Sequence, residues 1–148
     1  MSRRAALLTL LAVLLVFPII CILVWNAGLF LGEQQIRNSQ VTWENSEIAD
    51  YLITVESQGM HPDGRAIVTV ADGQVVAVDS DSCNPCSLET YQQFTVPALF
   101  DSAIRCGRDC VVTLNSTYNY PEFLTLSGTI LQDNFSIKVI NFQPISSE

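Results

Sequence analysis

The chain has 148 residues, 7 basic against 15 acidic, and a formal net charge of −8. Two of the basic residues, Arg3 and Arg4, precede a long apolar run, so the remainder carries 5 basic against 15 acidic residues, a net of −10. A surface this acidic repels phosphate backbones and excludes nucleic acid as a partner, and the length after the apolar run allows one ordinary domain but not two.

Residues 5–25 carry no charge. At about 1.5 Å per helical residue they reach about 30 Å, the thickness of a bilayer core, which predicts a transmembrane helix. A cleavable signal peptide has a shorter apolar region, about 7 to 15 residues, with small residues at its cleavage site. Here Trp25-Asn26-Ala27 puts a bulky side chain where a small one is needed, so residues 1–31 are expected to remain as an uncleaved signal-anchor. Cys21 follows Pro18-Ile19-Ile20, with Ile where a lipoprotein signal needs Gly, Ala or Ser. It reads as a small apolar residue inside the membrane helix, with lipidation the alternative. Arg3 and Arg4 stand before the run and the first charge after it is Glu33, so the positive-inside rule places the N-terminus in the cytoplasm. The expected arrangement is a single-pass cell-membrane protein with residues 32–148 as an extracytoplasmic domain.

Residues 33–47 predict a helix with sparse apolar points, Ile36, Val41, Trp43 and Ile48, docked through Trp43. Residues 50–57 alternate, Tyr51, Ile53 and Val55 on one face and Leu52, Thr54 and Glu56 on the other, which predicts a strand. His61, the only histidine, lies in the Gly-bounded loop that follows and has no neighbouring partner for metal or catalysis. Next, Asp72-Gly73 between two apolar runs predicts a two-residue hairpin turn with positive φ at both centres. The register sets Val68, Val70, Val75 and Ala77 on one face and Ile67, Thr69, Val76 and Val78 on the other. With both faces apolar, the hairpin is expected in the centre of a sheet.

A polar stretch, residues 79–89, contains Cys83-Asn84-Pro85-Cys86, and Thr95 then caps a helix expected to run through Arg105. Val96, Leu99, Phe100, Ala103 and Ile104 recur at helical spacing, Pro97 sits in the first turn, and Gly107 suits the C-terminal turn. Residues 111–114, 122–126 and 135–142 read as three further strands. Strands grouped by short turns around a helix imply an α+β domain: a mainly antiparallel sheet of about five to six strands packed against one or two helices.

Cys83, Cys86, Cys106 and Cys110 are the candidate site residues. Their Cys-x2-Cys and Cys-x3-Cys spacing fits a tetrahedral metal, two disulfides, or one redox-active pair. An extracytoplasmic compartment favours disulfides, in any of three connectivities. A redox reading of Cys83 and Cys86 wants a strand before them and a helix just after. Asp79-Ser80-Asp81 resembles the start of a calcium loop, but Cys83 and Thr90 stand where further ligands belong. Asn115-Ser116-Thr117 and Asn134-Phe135-Ser136 fit the glycosylation acceptor pattern. The chain has no phosphate-binding glycine pattern, no Gly-x-Ser-x-Gly, and no cofactor motif.

The order and spacing of several features resemble a family of bacterial envelope proteins, many of them lipoproteins, catalogued as domain of unknown function 6174. They are Trp43 followed by Asp50-Tyr51, the hairpin from Val68 through Asp72-Gly73 to Val76, the helix entry from Thr95 to Phe100, Tyr120-Pro121, and Asp133 through Phe135 to Val139. This chain departs from the family in lacking a Cys-x-Cys soon after the first strand and a lipoprotein cleavage site. The resemblance implies an envelope location and a fold, with no assigned activity. The expected function is a non-enzymatic binding or interaction module, anchored through residues 5–25 and contacting another envelope protein. The alternative is a thiol–disulfide or metal-handling protein using Cys83 and Cys86.

Overall fold

The computed structural model describes residues 32–126 and 135–145. The expected membrane span with Cys21, and the second acceptor Asn134, lie outside the described residues. Among the described residues no helix is long and apolar enough to cross a membrane. Contacts divide the chain into two compact units, Met1–Gln34 and Gln35–Glu148, and the second holds the sheet.

Helix α1 covers residues 32–44. Its end is closed by Ser46, whose N–H and hydroxyl both donate to the Trp43 carbonyl at 2.9 and 2.6 Å. Strands β1 (Tyr51–Gln58), β2 (Gly64–Ala71) and β3 (Gln74–Ser80) follow, then α2 (Leu88–Tyr91) and α3 (Val96–Cys106). The chain closes with β4 (Cys110–Leu114), β5 (Pro121–Leu126) and β6 (Ser136–Pro144). The six strands form one sheet in the order β3-β2-β1-β6-β5-β4. Every neighbouring pair is antiparallel. The α+β reading and the grouping of three strands, a helix and three strands therefore hold. Helix α2 is additional; it starts at the end of the polar stretch 79–89 and runs on to Tyr91.

One face of the sheet is closed. Tyr51, Ile53 and Val55 of β1, Val68 and Val70 of β2, Leu124 of β5 and Ile137 and Val139 of β6 form one core with Tyr91, Phe94, Leu99 and Phe100. Helix α3 joins it through Val96, Leu99, Phe100 and Ala103, the stripe its spacing predicts, and each such buried side chain contributes about 1.5–3 kcal/mol. Thr95 occupies the N-cap position, but its hydroxyl donates backwards to the Gln92 carbonyl at 2.9 Å. The cap comes from elsewhere: Val96 N–H donates to the Tyr51 hydroxyl oxygen at 2.9 Å. Around Tyr51, the rings of Trp43, Tyr120 and Phe142 meet at centroid distances of 4.8 to 6.3 Å. Trp43 is thus a packing anchor, and burial pushes the hydroxyls of Tyr51 and Tyr120 up to about 12.

The Asp72-Gly73 turn forms as expected, with φ of 50° and 74°. Its setting corrects the reading of the hairpin. Strand β3 is an edge of the sheet, not a central strand, because β1 and β6 pair with each other on the far side of β2. The register also shifts between Thr69 and Val70, so Val78 pairs with Val68 and Ala77 with Thr69. The extra residue, Val76, swaps the two halves of β3: Val78 turns to the core and Ala77 away from it. Asp50 Oδ1 accepts from Asp72 N–H at 2.9 Å, tying the turn to the base of β1. The Gln92 side chain brackets the edge, accepting from Val75 N–H at 3.0 Å and donating to the Gly73 carbonyl at 3.1 Å.

Candidate functional site

Cys83, Cys86, Cys106 and Cys110 come together as two local pairs. Cys83 and Cys86 lie in the turn between β3 and α2, at disulfide distance with their Cα atoms 5.0 Å apart. Cys106, the last residue of α3, and Cys110, the first of β4, are also at disulfide distance, Cα to Cα 5.5 Å. Among the described residues no group of three or more His, Cys, Asp or Glu side chains converges, so the four thiols stand as two pairs and not as one tetrahedral cage. The pairing follows from geometry: both turns hold their cysteines within the span a disulfide bridges.

The Cys83–Cys86 pair has the local setting that redox chemistry asks for, a strand ending at Ser80 before it and a helix starting at Leu88 after it. The wider setting differs, since β3 is the edge of an antiparallel sheet and belongs to no βαβ unit. All four cysteines are half-buried. What distinguishes Cys83 is a hydroxyl. Tyr91 OH, from a side chain only 2% exposed, lies 3.1 Å from Cys83 Sγ and 3.3 Å from Ser82 Oγ. Cys86 Sγ sits 3.1 Å from the Cys83 carbonyl oxygen. Sequence reasoning did not single out Tyr91. The eight residues from Cys83 to Tyr91 cross from a turn into α2, so no single helical or strand period relates them, and only the fold of the turn brings the two together.

The remaining sequence candidates are placed more plainly. His61 is exposed in the loop between β1 and β2, where its carbonyl accepts from Gln93 Nε2 at 2.9 Å. Asp79 and Asp81 are exposed and hold no common centre. Asn115 Oδ1 accepts from the N–H groups of Thr117 and Tyr118, both at 2.9 Å, so this acceptor side chain shapes its own turn. A shallow depression at the end of β1 is lined by Glu56, Ser57, Gln58, Asp63 and Gly64. The Ser57 hydroxyl there donates to the Pro62 carbonyl at 2.7 Å.

The second candidate is a surface. The sheet face away from α3 carries Ile67 at 38% exposure, Val76 at 50%, Val111 at 58% and Ile140 at 43%. Two bulges build it. One puts Val76 and Ala77 opposite Thr69, and the other puts Ile140 and Asn141 opposite Thr54. Of the second face expected for the hairpin, Ile67 and Val76 are therefore open among the described residues, while Val78 turns to the core.

Comparison with curated proteins and with solved structures returns no match. The profile of one family matches residues 35–144, most of the chain and nearly all of the sheet unit. On that match the chain belongs to the family of unknown function DUF6174.

Proposed function

We propose that this chain is a membrane-tethered, extracytoplasmic interaction module of the bacterial cell envelope, which docks another envelope protein on the open face of its sheet. The observation that carries the reading is the exposure of Val76, Ile67, Ile140 and Val111 on one face of the sheet, large apolar side chains left uncovered among the described residues. The same face carries Arg65, Glu56 and Lys138 in cross-strand register, which offers a partner charged contacts of both signs beside the apolar ones. The apolar run at residues 5–25, with Arg3 and Arg4 before it, supports the tether and its direction.

The test is proximity labelling from the full chain in its native membrane, with Val76→Lys, Ile140→Lys and the double variant beside the wild type. The expected result is one envelope protein labelled by the wild type and reduced at least about tenfold by the double variant. Val76 and Ile140 are each about half exposed and stand at the two bulges, so urea midpoints of the variants are measured beside the labelling, and an unchanged midpoint shows that folding is not the cause of the loss. Equal labelling by the double variant, or no envelope protein above background, overturns the reading.

A further inference from the structure

Counting donors around Cys83 leaves one proton aimed at one sulfur. The Ser80 hydroxyl spends its single proton on the Arg65 carbonyl, at 3.0 Å. The 2.8 Å contact between Ser80 Oγ and Ser82 Oγ must then be donated by Ser82. Ser82 Oγ is left as an acceptor on its other side, toward Tyr91. The Tyr91 hydroxyl thus holds the one uncommitted proton of the group, and its nearer acceptor is Cys83 Sγ, at 3.1 Å against 3.3 Å for Ser82 Oγ. A sulfur in a disulfide has no proton to give, so it can only accept. The same donor faces a thiolate better still, because hydrogen bonds to charged acceptors are about twice as strong as neutral ones. Among the described residues Cys106 and Cys110 have no comparable hydroxyl.

We infer that Cys83 and Cys86 form a thiol–disulfide exchange site for a dithiol substrate, in which Cys86 is the sulfur attacked and Cys83 departs as a thiolate held by Tyr91. One thiolate of the dithiol attacks Cys86 Sγ, forming a mixed disulfide. The Cys83–Cys86 bond breaks, and its electron pair leaves on Cys83. The second thiolate of the dithiol then attacks its own partner sulfur, closing the substrate disulfide and releasing Cys86 as a thiolate. Two electrons pass from the dithiol to the cysteine pair, and the two protons the dithiol gave up end on Cys83 and Cys86 or in solvent. Exchange is faster when the leaving thiolate is stabilised, which is the part Tyr91 plays as a positioning residue. The site lies at the loop after β3 and does not depend on docking at the open sheet face.

The test uses the full chain purified in detergent under oxidising conditions. Glutathione is added briefly, free thiols are alkylated, and each cysteine is mapped by mass. Glutathione is expected on Cys86 and the alkyl group on Cys83; glutathione on Cys83, or on both equally, overturns the inference. With dithiothreitol, Cys83–Cys86 is expected to reduce at least about tenfold faster than Cys106–Cys110 in the same molecule. Tyr91→Phe is expected to slow the first reaction roughly fivefold, and to move the pH at which Cys83 alkylates to higher values, while the rate at Cys106–Cys110 stays the same. Equal slowing of both pairs means a general change of fold and removes the role of Tyr91. In cells, Cys83→Ser leaves Cys86 as a free thiolate that attacks the disulfide form of its substrate, breaking that S–S bond and joining one of its two sulfurs, and acid quenching with alkylation preserves the adduct: a protein-sized adduct on a nonreducing gel identifies a protein substrate, a small mass increment identifies a low-molecular-weight one, and no adduct overturns the proposal.

Discussion

The Tyr51 hydroxyl and the Val96 backbone N–H are 45 residues apart in the chain and 2.9 Å apart in the fold. A strand side chain thus does what the N-cap residue of α3 does not, since the Thr95 hydroxyl is turned to Gln92. Tyr51→Phe keeps the ring and its contacts with Trp43 and Phe142 but leaves a buried N–H without a partner. The expected cost is about 1–3 kcal/mol, read as a lower urea midpoint at unchanged slope. A loss below about 0.5 kcal/mol would mean that water or Thr95 takes over the cap.

The same hydroxyl makes stability depend on alkaline pH. Tyr51 and Tyr120 are pushed from 10.0 to about 12, in both cases mainly by burial, with Glu122 adding to the rise at Tyr120. The unfolded chain therefore releases these protons at a lower pH than the folded one. Their contribution is fully present below about pH 10 and is lost as pH rises through the window toward 12. Urea midpoints measured from pH 8 to 12 are expected to be flat and then to fall. In a Tyr51→Phe, Tyr120→Phe variant the fall is expected to be shallower, and an identical slope would show that these two groups do not cause it.

Gln92 fastens the edge strand with two bonds, to Val75 N–H and to the Gly73 carbonyl. Gln92→Glu keeps the acceptor, removes the donor and sets a carboxylate against the Gly73 oxygen. The expected loss is about 1–3 kcal/mol, concentrated at the hairpin. Amide hydrogen exchange is the measurement: Val75 and its neighbours in β3 are expected to exchange faster, while β1 and β6 follow only the global change. Uniform acceleration across the sheet would place the role of Gln92 in the core and not at the edge.

What could be read in advance was whatever a few adjacent residues determine. The Asp72-Gly73 turn, the alternation of Tyr51, Ile53 and Val55, and the buried stripe of α3 are local patterns, and all three appear as expected. The position of β3 was not legible, because strand order depends on pairing between β1 and β6, about 80 residues apart. Nor was the bulge at Val76, which no Gly or Pro marks and which a one-residue shift suffices to create. At the cysteines, spacing allowed three chemistries, and the pairing and the Tyr91 hydroxyl needed the folded turn to be seen.

Gly73 separates backbone strain from packing. Its φ is 74°, and a Cβ added there would meet nothing within 4 Å. Gly73→Ala should therefore cost about 1–2 kcal/mol through the left-handed conformation alone, and Gly73→Asn clearly less, since Asn tolerates that region. Thermal midpoints of the three chains check the order. If Ala and Asn cost the same, a clash and not φ would be responsible.

Trp43 ties α1 to the sheet. Only 5% exposed, it stands edge-on to Tyr51, Tyr120 and Phe142 at centroid distances of 5.8, 6.3 and 5.5 Å. The nearest part of the sheet is thus built to receive one indole, and truncation leaves a cavity lined by three rings that cannot all move in. Trp43→Ala is expected to cost about 3–5 kcal/mol, and Trp43→Phe roughly half of that, because one ring still fills part of the space. Denaturation of the full chain in detergent gives the totals. Hydrogen exchange shows where they fall: amides of residues 35–44 are expected to lose protection first, since most of the stability of so short a helix comes from tertiary packing. Retained protection in Trp43→Ala would mean that Ile36 and the residues around it hold α1 without the indole.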